Sequence, residues 1–265
     1  MTAAYGPLAV IRRLRVQARV IRALLIREMM TRYGRRNIGF LWLVAEPLIL
    51  TGGIILVWSL TKRTTHGVPI IAFALTGYST LTLWRHIVQR GVGCLRSNAA
   101  LLFHQNVRFF DTMVARSLLE TFGALMSFSF AYLCLLLTDF VLPIEDFLLL
   151  SGGWALMAIF SFGVALILAG LSEMWDGVDR FIQPLMYLTL PLSGVFTLMA
   201  WLPETARGVL LYSPLVHATE MFRAGFMGDG HSFHFDVWYL AAWALGAVVL
   251  GLFVVREAES HFHYA

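Results

Sequence analysis

Charged residues are scarce in this chain of 265 residues. They make up 14% of it, against roughly 25% in soluble domains, while hydrophobic residues make up 58%. A soluble core of this size would not bury so much apolar surface. The composition therefore excludes an ordinary soluble domain and indicates an integral membrane protein.

Lysine is almost missing, since Lys62 is the only one in the chain. A phosphate-binding loop of the form G-x-x-x-x-G-K-[ST] needs glycines just before its lysine. Lys62 instead follows Trp58-Ser59-Leu60-Thr61. The chain is therefore expected to carry no standard ATP-hydrolysing motor of its own, and any such motor lies on a partner chain.

Cysteine is also rare, because Cys94 and Cys134 are the only two. Two cysteines are too few for a disulfide framework or for a four-cysteine metal site. We expect no cleavable signal peptide, because residues 1–36 have no uninterrupted apolar core beside a small-residue cleavage site.

Long uncharged runs are what the chain has instead. A helix needs about 20 apolar residues to cross a bilayer, and six runs reach or approach that length. The sequence therefore predicts an all-α integral membrane protein with six transmembrane helices. The predicted spans are residues 38–61, 66–90, 116–138, 147–172, 180–202 and 237–255.

An amphipathic helix is predicted before the first span, over residues 8–30. Its apolar positions and its arginines each repeat at helical spacing on neighbouring faces. Such a helix lies in the membrane interface with its arginines toward anionic lipid heads; a nucleic-acid patch and a solvated helix are the alternatives. The two sets are Ile11, Leu14, Ala18, Ile21 and Leu25, and Arg12, Arg15, Arg19 and Arg22.

The distribution of arginine predicts the orientation. With both termini in the cytoplasm, sixteen of the 20 Lys and Arg residues lie on the cytoplasmic side. Cytoplasmic loops carry such an excess of positive charge, so we expect this orientation. The four on the other side are Lys62, Arg63, Arg207 and Arg223.

Two connections between the spans are long. The inner one holds an apolar helix over 95–112, whose exposed Leu101, Leu102 and Phe103 suggest docking to another protein. The outer one is broken by Pro203 and Pro214 into pieces too short to span. We predict short re-entrant or interfacial helices over 203–228.

Several polar and aromatic residues are candidates for function. Glu46 lies inside the first span, where an acid is costly unless it is paired or wet; it pairs with Arg85 or Arg90, or it takes part in transport. Aromatic residues in the first two spans form an interface belt or stack on sugars. These aromatic residues are Trp42, Trp58, Tyr78 and Trp84.

Two other polar groups have simpler interpretations. His231, His234 and Asp236 are ligand types for zinc, but they lack an HExxH-like frame, so a polar loop is the expected interpretation. Asp176 and Asp179 form a carboxylate pair or, as we expect, a solvated turn.

Three motifs in order give the chain a resemblance to a known family. They are Arg27-Glu28, Thr31-Arg32, Gly39, Leu41-Trp42 and Glu46-Pro47; then Asp111-Thr112, Ala115-Arg116 and Leu118-Leu119-Glu120-Thr121; then Pro214-Leu215-Val216-His217 with Glu220 and Arg223. In these the chain resembles the membrane subunits of ABC-2-type exporters, and in particular the capsular polysaccharide export permeases. Val107 to Phe110 departs from the family, which often has proline there.

The resemblance implies a permease of the bacterial inner membrane, made of two copies of the chain and two ATP-binding cassette subunits. Those ATPase subunits would bind ATP and Mg²⁺, whereas this chain is expected to have no enzyme activity and no bound cofactor. The permease would export a lipid-anchored acidic polysaccharide to the periplasm, with a periplasmic adaptor and an outer-membrane channel, and without nucleic acid. Alternatives are export of lipid-linked O-antigen or teichoic acid, a secondary transporter, and a membrane-bound enzyme.

The resemblance also implies roles for individual residues, in three sets. Contact with the ATPase is expected at Asn98, Leu101, Leu102, Phe103 and Phe109. The translocation path is expected at Glu46, Tyr78, Trp84, Arg85, Arg90, Tyr187 and Phe196. A periplasmic gate is expected at Pro203, Pro214, His217, Glu220 and Arg223.

Overall fold

The described part of the chain is a bundle of helices in a computed structural model. It comprises residues 7–33, 45, 48–49, 51–57, 60, 67–94, 108–175 and 177–262, without the side chains of 7–14, 32–33, 229 and 261–262, and it contains no β-strand. Two short 3-10 helices, Met199–Trp201 and Gly228–Gly230, join the longer elements. The α-helices are α1 (Pro7–Tyr33), α2 (Ile70–Gly91), α3 (Phe109–Leu137), α4 (Phe147–Met174), α5 (Val178–Leu192), α6 (Glu204–Leu210), α7 (Pro214–Met227) and α8 (Val237–Phe262).

Three of the described helices are long and apolar enough to cross a membrane. They are α3, α4 and residues Val237–Ser260 of α8. The all-α membrane fold is thereby confirmed, whereas the count of six spans stays a prediction. The described residues of the predicted first span are helical over 51–57, and Thr51 is buried beside Ser79 and Ser127.

Local capping agrees with the predicted start of the span 147–172, whereas the helix of the predicted span 116–138 begins earlier, at Phe109. The Asp146 carboxylate accepts a hydrogen bond from the Leu149 amide at 2.9 Å, so α4 begins at Phe147 as predicted. In α3 the Asp111 carboxylate accepts from the Arg108 amide at 3.2 Å. This helix therefore begins at Phe109, inside the 95–112 segment that the sequence assigns to a separate inner helix.

The fifth predicted span, 180–202, is wrong as a single helix. The helix α5 ends at Leu192, just after Pro191, and Gly194 follows with φ of +70°. That left-handed conformation suits glycine and ends the helix. Because α5 has 15 residues, it is about 22 Å long, which is shorter than a bilayer core of about 30 Å.

Helices α4 and α8 pack closely because glycines face the neighbouring backbone. A Cβ atom placed on Gly163 would lie 2.6 Å from the Ala247 carbonyl carbon. A Cβ atom on Gly251 would lie 2.6 Å from Leu166 Cβ. Small residues allow such an approach in membrane helices, where packing drives helix association.

Helix α7 lies within the bundle and not on its surface. The Phe222 ring is fully buried between the rings of Phe128 in α3 and Trp154 in α4. Gly225 lies against the Leu150 backbone, and its carbonyl accepts from the Asp146 amide at 2.9 Å. The predicted short helices of 203–228 are therefore present as α6 and α7, and α7 is part of the core.

Gly163→Leu should loosen the α4–α8 pair, because the added side chain would overlap the α8 backbone. We expect a loss of about 1–3 kcal/mol in the free energy of unfolding, as for other overpacked cores. Thermal unfolding of the purified protein in detergent measures it. Gly246→Leu is the matched control, since a Cβ atom there meets nothing within 4 Å; equal losses in both variants would contradict the close-contact interpretation.

Candidate functional site

Two groups of buried or partly buried polar side chains lie at opposite ends of α2. The outer cluster, named after the predicted topology, comprises His217, Glu220 and Arg223 of α7 and lies against the start of α2. The inner cluster comprises Glu28, Arg90, Arg116 and Glu120 and lies at its end. The 17 residues that separate Phe73 from Arg90 place the two clusters about 25 Å apart.

Arg223 is the centre of the outer cluster. Its side chain is 0% exposed, and its guanidinium donates to three carbonyls of the turn after α5. Nη1 donates to Gly194 O at 2.7 Å and to Thr197 O at 3.3 Å, and Nη2 donates to Val195 O at 2.8 Å. The guanidinium carbon lies 3.9 Å from the centre of the Phe73 ring in α2, a cation–π contact.

Glu220 pairs with Arg223 and holds a second segment. Its Oε1 lies 3.8 Å from Arg223 Nη1, and its Oε2 accepts from the His234 amide at 3.1 Å. Burial raises the pKa of the Glu220 carboxyl, and the charge of Arg223 acts in the opposite direction. Burial lowers the pKa of Arg223 to about 10, so the guanidinium stays charged at neutral pH.

His217 joins the N-terminal ends of α7 and α8. Its Nδ1 accepts from the Asp236 amide at 2.8 Å, so Nε2 carries the proton and donates to Leu211 O at 2.8 Å. The carboxylate of Asp236 in turn accepts from the amides of Trp238 and Tyr239 at the start of α8. His217, Glu220 and Arg223 recur every three residues, so one face of α7 holds three outer segments.

The two prolines predicted at the gate start helices. Pro203 is the N-cap of α6, and Pro214 is the first residue of α7. Proline is common at the first helical position because its missing N–H has no intrahelical partner there. The geometry thus gives both prolines a structural role in setting the lengths of these helices.

In the inner cluster, Arg90 of α2 pairs with a buried acid of α3. Arg90 Nη1 donates to Glu120 Oε2 at 2.7 Å, and His86 Nδ1 lies 3.6 Å from the same oxygen. Arg116 Nη1 donates to the Arg90 carbonyl at 2.8 Å. The sequence predicts Arg90 on the translocation path, whereas the structure places its charge against Glu120.

Helix α1 is fixed to α3 by two polar contacts. Arg116 donates to Glu28 Oε1 at 2.9 Å through Nε, and Gln17 donates to Asp111 Oδ1. Both contacts lie in the first eight residues of α3, so α1 is fixed to the N-terminal end of that helix. Leu24 is buried there, whereas Ala18, predicted on the apolar face, is exposed. Arg15, Arg19 and Arg22 are also exposed.

The predicted path residues lie in different environments. Trp84 is 3% exposed, stacks on Phe160 at 5.5 Å and donates to Thr189 at 3.3 Å, so its ring packs inside this chain. Tyr187 and Phe196 are 63% and 44% exposed. Phe196 meets Tyr78 edge to face, with 6.1 Å between ring centres. The side chain of Arg85 is partly exposed.

Other predicted site residues lie outside the described residues. These are Glu46 of the path and Asn98, Leu101, Leu102 and Phe103 of the inner helix. Phe109, the fifth residue of that set, is 2% exposed in the first turn of α3. Its ring is therefore covered by this chain and not presented to a partner.

The metal interpretation gains no support from the described residues. Within them, no group of three or more His, Cys, Asp or Glu side chains is arranged to hold a metal ion. His234 and Asp236 instead have their backbone amides bound by Glu220 and His217. Asp176 lies outside the described residues.

The sequence prediction missed the structural role of the inner cluster. Glu120 and Arg116 were noted only for their resemblance to family motifs. A stronger signal was available, because Glu120 is the one acid in the apolar run from Ser117 to Leu137, and such an acid needs a partner. The arginines at the end of the preceding span were the obvious candidates.

These features define a class of protein: an all-α membrane protein with buried, paired charges at both ends of its bundle. A scan against models of protein families finds no match. The chain is 37% identical over 245 residues to the capsule polysaccharide export inner-membrane protein BexB of Haemophilus influenzae, covering 92% of both chains. It is 39% identical over 246 residues to the protein of the same description, CtrC, of Neisseria meningitidis serogroup B, again covering 92% of both.

A more distant relative is the polysialic acid transport protein KpsM of Escherichia coli. It is 29% identical over 252 residues, which cover 92% of this chain and 95% of the relative. The chain belongs to the family of capsule polysaccharide export inner-membrane proteins. The predicted family and the inner-membrane location are therefore confirmed.

Glu28→Arg should detach α1 from α3, because it would place two cations where an ion pair now lies at 2.8 Å. We expect the free energy needed to detach α1 to fall by about 1.5–3 kcal/mol, which is the contribution of a hydrogen bond to a charged group. Hydrogen exchange of the α1 amides measures the loss as lower protection.

The double variant Glu28→Arg/Arg116→Glu should restore part of that protection, because it re-forms the pair with its charges exchanged. Arg22→Glu, at an exposed position of α1, is the control and should leave the exchange unchanged. No recovery in the double variant would show that α1 is held by other contacts.

Proposed function

We propose that this chain is the membrane subunit of an ATP-driven exporter. It passes a lipid-anchored acidic capsular polysaccharide from the cytoplasm to the periplasm. The observation that carries the proposal is the likeness to capsule export proteins over 92% of the chain. As a permease subunit, the chain itself catalyses no reaction.

A separate ATPase is required by this proposal, because the chain has no phosphate-binding loop around its single lysine. The docking segment is the inner connection between α2 and α3. Its apolar residues Leu101, Leu102 and Phe103 stand in an otherwise polar stretch, which fits a groove on a partner protein. Asn98 lies at the start of the same segment.

Two copies of the chain enclose the path in this proposal. Helix α5 supports it, because the helix is short and presents exposed large side chains, among them Phe181, Tyr187 and Leu188. A second copy and the passing sugar would both cover such a surface. Aromatic faces suit sugar rings, and Tyr78 with Phe196 forms the outer end of this path.

An acidic substrate is supported by the name of one relative, which refers to polysialic acid. Arg85 is the better candidate for attracting it, because the charge of Arg90 is used in the pair with Glu120. Glu46 stays a candidate path residue in the first span. The periplasmic adaptor and the outer-membrane channel complete the proposed assembly.

The orientation in this proposal has both termini in the cytoplasm. It places the inner cluster and α1 at the cytoplasmic surface, where Arg15, Arg19 and Arg22 face outward from the bundle. Anionic lipid heads attract such arginines. The outer cluster then faces the periplasm, with α6 and α7 as the gate helices.

Leu102→Asp should weaken the complex with the ATPase, because a charge buries badly in an apolar groove. We expect about tenfold less ATPase to co-purify, the change that corresponds to a loss of about 1.4 kcal/mol. Leu142→Asp is the matched control, since Leu142 is exposed in the predicted periplasmic loop between α3 and α4. Unchanged co-purification in Leu102→Asp would remove this segment from the docking site.

Arg85→Ala should lower the export of an acidic polymer more than that of a neutral one. We expect a difference of about threefold to tenfold, because a positive cleft raises the local concentration of anions. Surface polymer is quantified in cells that make either polymer.

Arg15→Ala, which removes an exposed arginine of α1, is the control for that measurement. Arg90→Ala is a poor substitute for Arg85→Ala, since it would leave Glu120 buried without its 2.7 Å partner. Equal losses for both polymers would show that Arg85 does not select for charge.

A further inference from the structure

Three carbonyls in the turn after α5 are bound by one side chain from another helix, Arg223. Residues 193–198 connect α5 to the 3-10 helix Met199–Trp201, and three of their carbonyls accept from Arg223 of α7. In hydrocarbon or in a protein core, a free carbonyl costs more than it does in water. Arg223 therefore supplies donors that the turn cannot find within itself.

The same guanidinium also touches α2. It lies over the Phe73 ring, and it fills the space beside Gly77, where a Cβ atom would be 2.6 Å from Nη2 and 3.2 Å from Val195 O. One side chain thus joins α2, α7 and the turn, and Gly77 leaves the room that this arrangement needs. Arginine suits the position because its planar fork presents several donors in fixed directions.

Phe196 is the residue of the turn that this arrangement places. It stands between two residues whose carbonyls bind Arg223, Val195 and Thr197, and its own ring is half exposed. The ring meets Tyr78 edge to face, and Tyr78 directly follows Gly77 in α2. The position of the Phe196–Tyr78 pair is therefore set by the contacts that Arg223 makes with the residues next to the two rings in sequence.

We propose that Arg223 is a positioning residue for the outer closure of the export path. It holds the 193–198 turn so that Phe196 rests on Tyr78 when no polymer is present. This inference rests on the proposed function, because it takes these two rings as part of the path. Arg223 itself is fully buried and touches no substrate.

The first measurement asks whether Arg223 sets the distance between the two rings. Tyr78→Cys and Phe196→Cys are combined with Cys134→Ser, which removes the exposed native thiol. In native membranes with the full chain, a short bifunctional methanethiosulfonate should join the two cysteines quickly. Adding Arg223→Met, which removes all three hydrogen bonds to the turn, should slow this reaction by about tenfold or more, because loss of one hydrogen bond to a charged group already has an effect of that size.

The second measurement asks whether the close approach of residues 78 and 196 closes the path. In cells that make no polymer, Arg223→Met with the cysteine pair should let a small chromogenic galactoside cross the inner membrane faster. Joining the pair with the reagent should return entry to the wild-type rate. A residue with only a structural role would give no such rescue.

Gly77→Ala provides a test that leaves Arg223 in place. Its methyl group would displace the guanidinium, so it should slow the crosslinking and raise the leak in the same direction as Arg223→Met. Gly246→Ala is the matched control, because its Cβ atom meets nothing within 4 Å. If the Arg223→Met variant does not reach the membrane, the crosslinking and leak of the Gly77→Ala variant test the inference without it.

Two outcomes would overturn the inference. One is unchanged crosslinking in a Gly77→Ala protein that is folded and present at wild-type amount. The other is slower crosslinking without any leak, which would show that Arg223 positions the turn but that the Phe196–Tyr78 pair does not close the path. A different result would be that the wild-type chain does not support capsule export. That result would refute the proposed function but would not change the crosslinking result.

Discussion

The burial of the Arg223 guanidinium is the constraint on which the outer half of the structure depends. A fully buried cation is stable only where acceptors surround it. Here the acceptors are mainly backbone carbonyls of one turn, and Glu220 provides the opposite charge at 3.8 Å. The turn, α7 and α2 must therefore keep their relative positions together, since moving one leaves a charge or a carbonyl without a partner.

In the inner half of the bundle, the charged groups are paired mainly with other side chains and not with backbone carbonyls. Glu120 is 0% exposed and accepts from Arg90, while Arg116 joins Glu28 of α1 to the carbonyl of Arg90. The pairs connect three helices at the end where the sequence places the cytoplasm. Between the two polar ends, α4 and α8 are held by close packing of glycines, which needs no charge. The contact between α4 and α8 therefore needs no ion pair, whereas the two ends of the bundle are held by paired charges.

Prediction from the sequence succeeded where a single local signal decides the structure. The helices α4 and α8 follow from long apolar runs, and Asp146 marks the start of α4. It failed for α5, because apolar composition alone continues past Leu192, whereas Pro191 and Gly194 end the helix. Two local breakers outweighed the hydropathy of the run.

The candidate site was predicted less well, because its geometry depends on contacts far apart in sequence. Arg223 was expected at the gate, but its partners lie at 194–197, and no periodicity connects the two segments. The family resemblance implies that Trp84 and Arg90 are path residues, yet the first packs on Phe160 and the second pairs with Glu120. The sequence can show that a buried charge needs a partner, but tertiary packing selects which one.

The two ends of the bundle differ in which parts of the chain their charged side chains hold in place. At the inner end the paired groups belong to helices, so separating them means moving whole helices against a packed core. At the outer end Arg223 holds a short turn through hydrogen bonds to carbonyls, and the turn carries a half-exposed ring. A path for a long polymer must be closed when empty and must open without unfolding the bundle. In the closed arrangement the turn is fixed by its hydrogen bonds to Arg223, and opening it would break those bonds but leave α4 and α8 packed together, which meets both requirements.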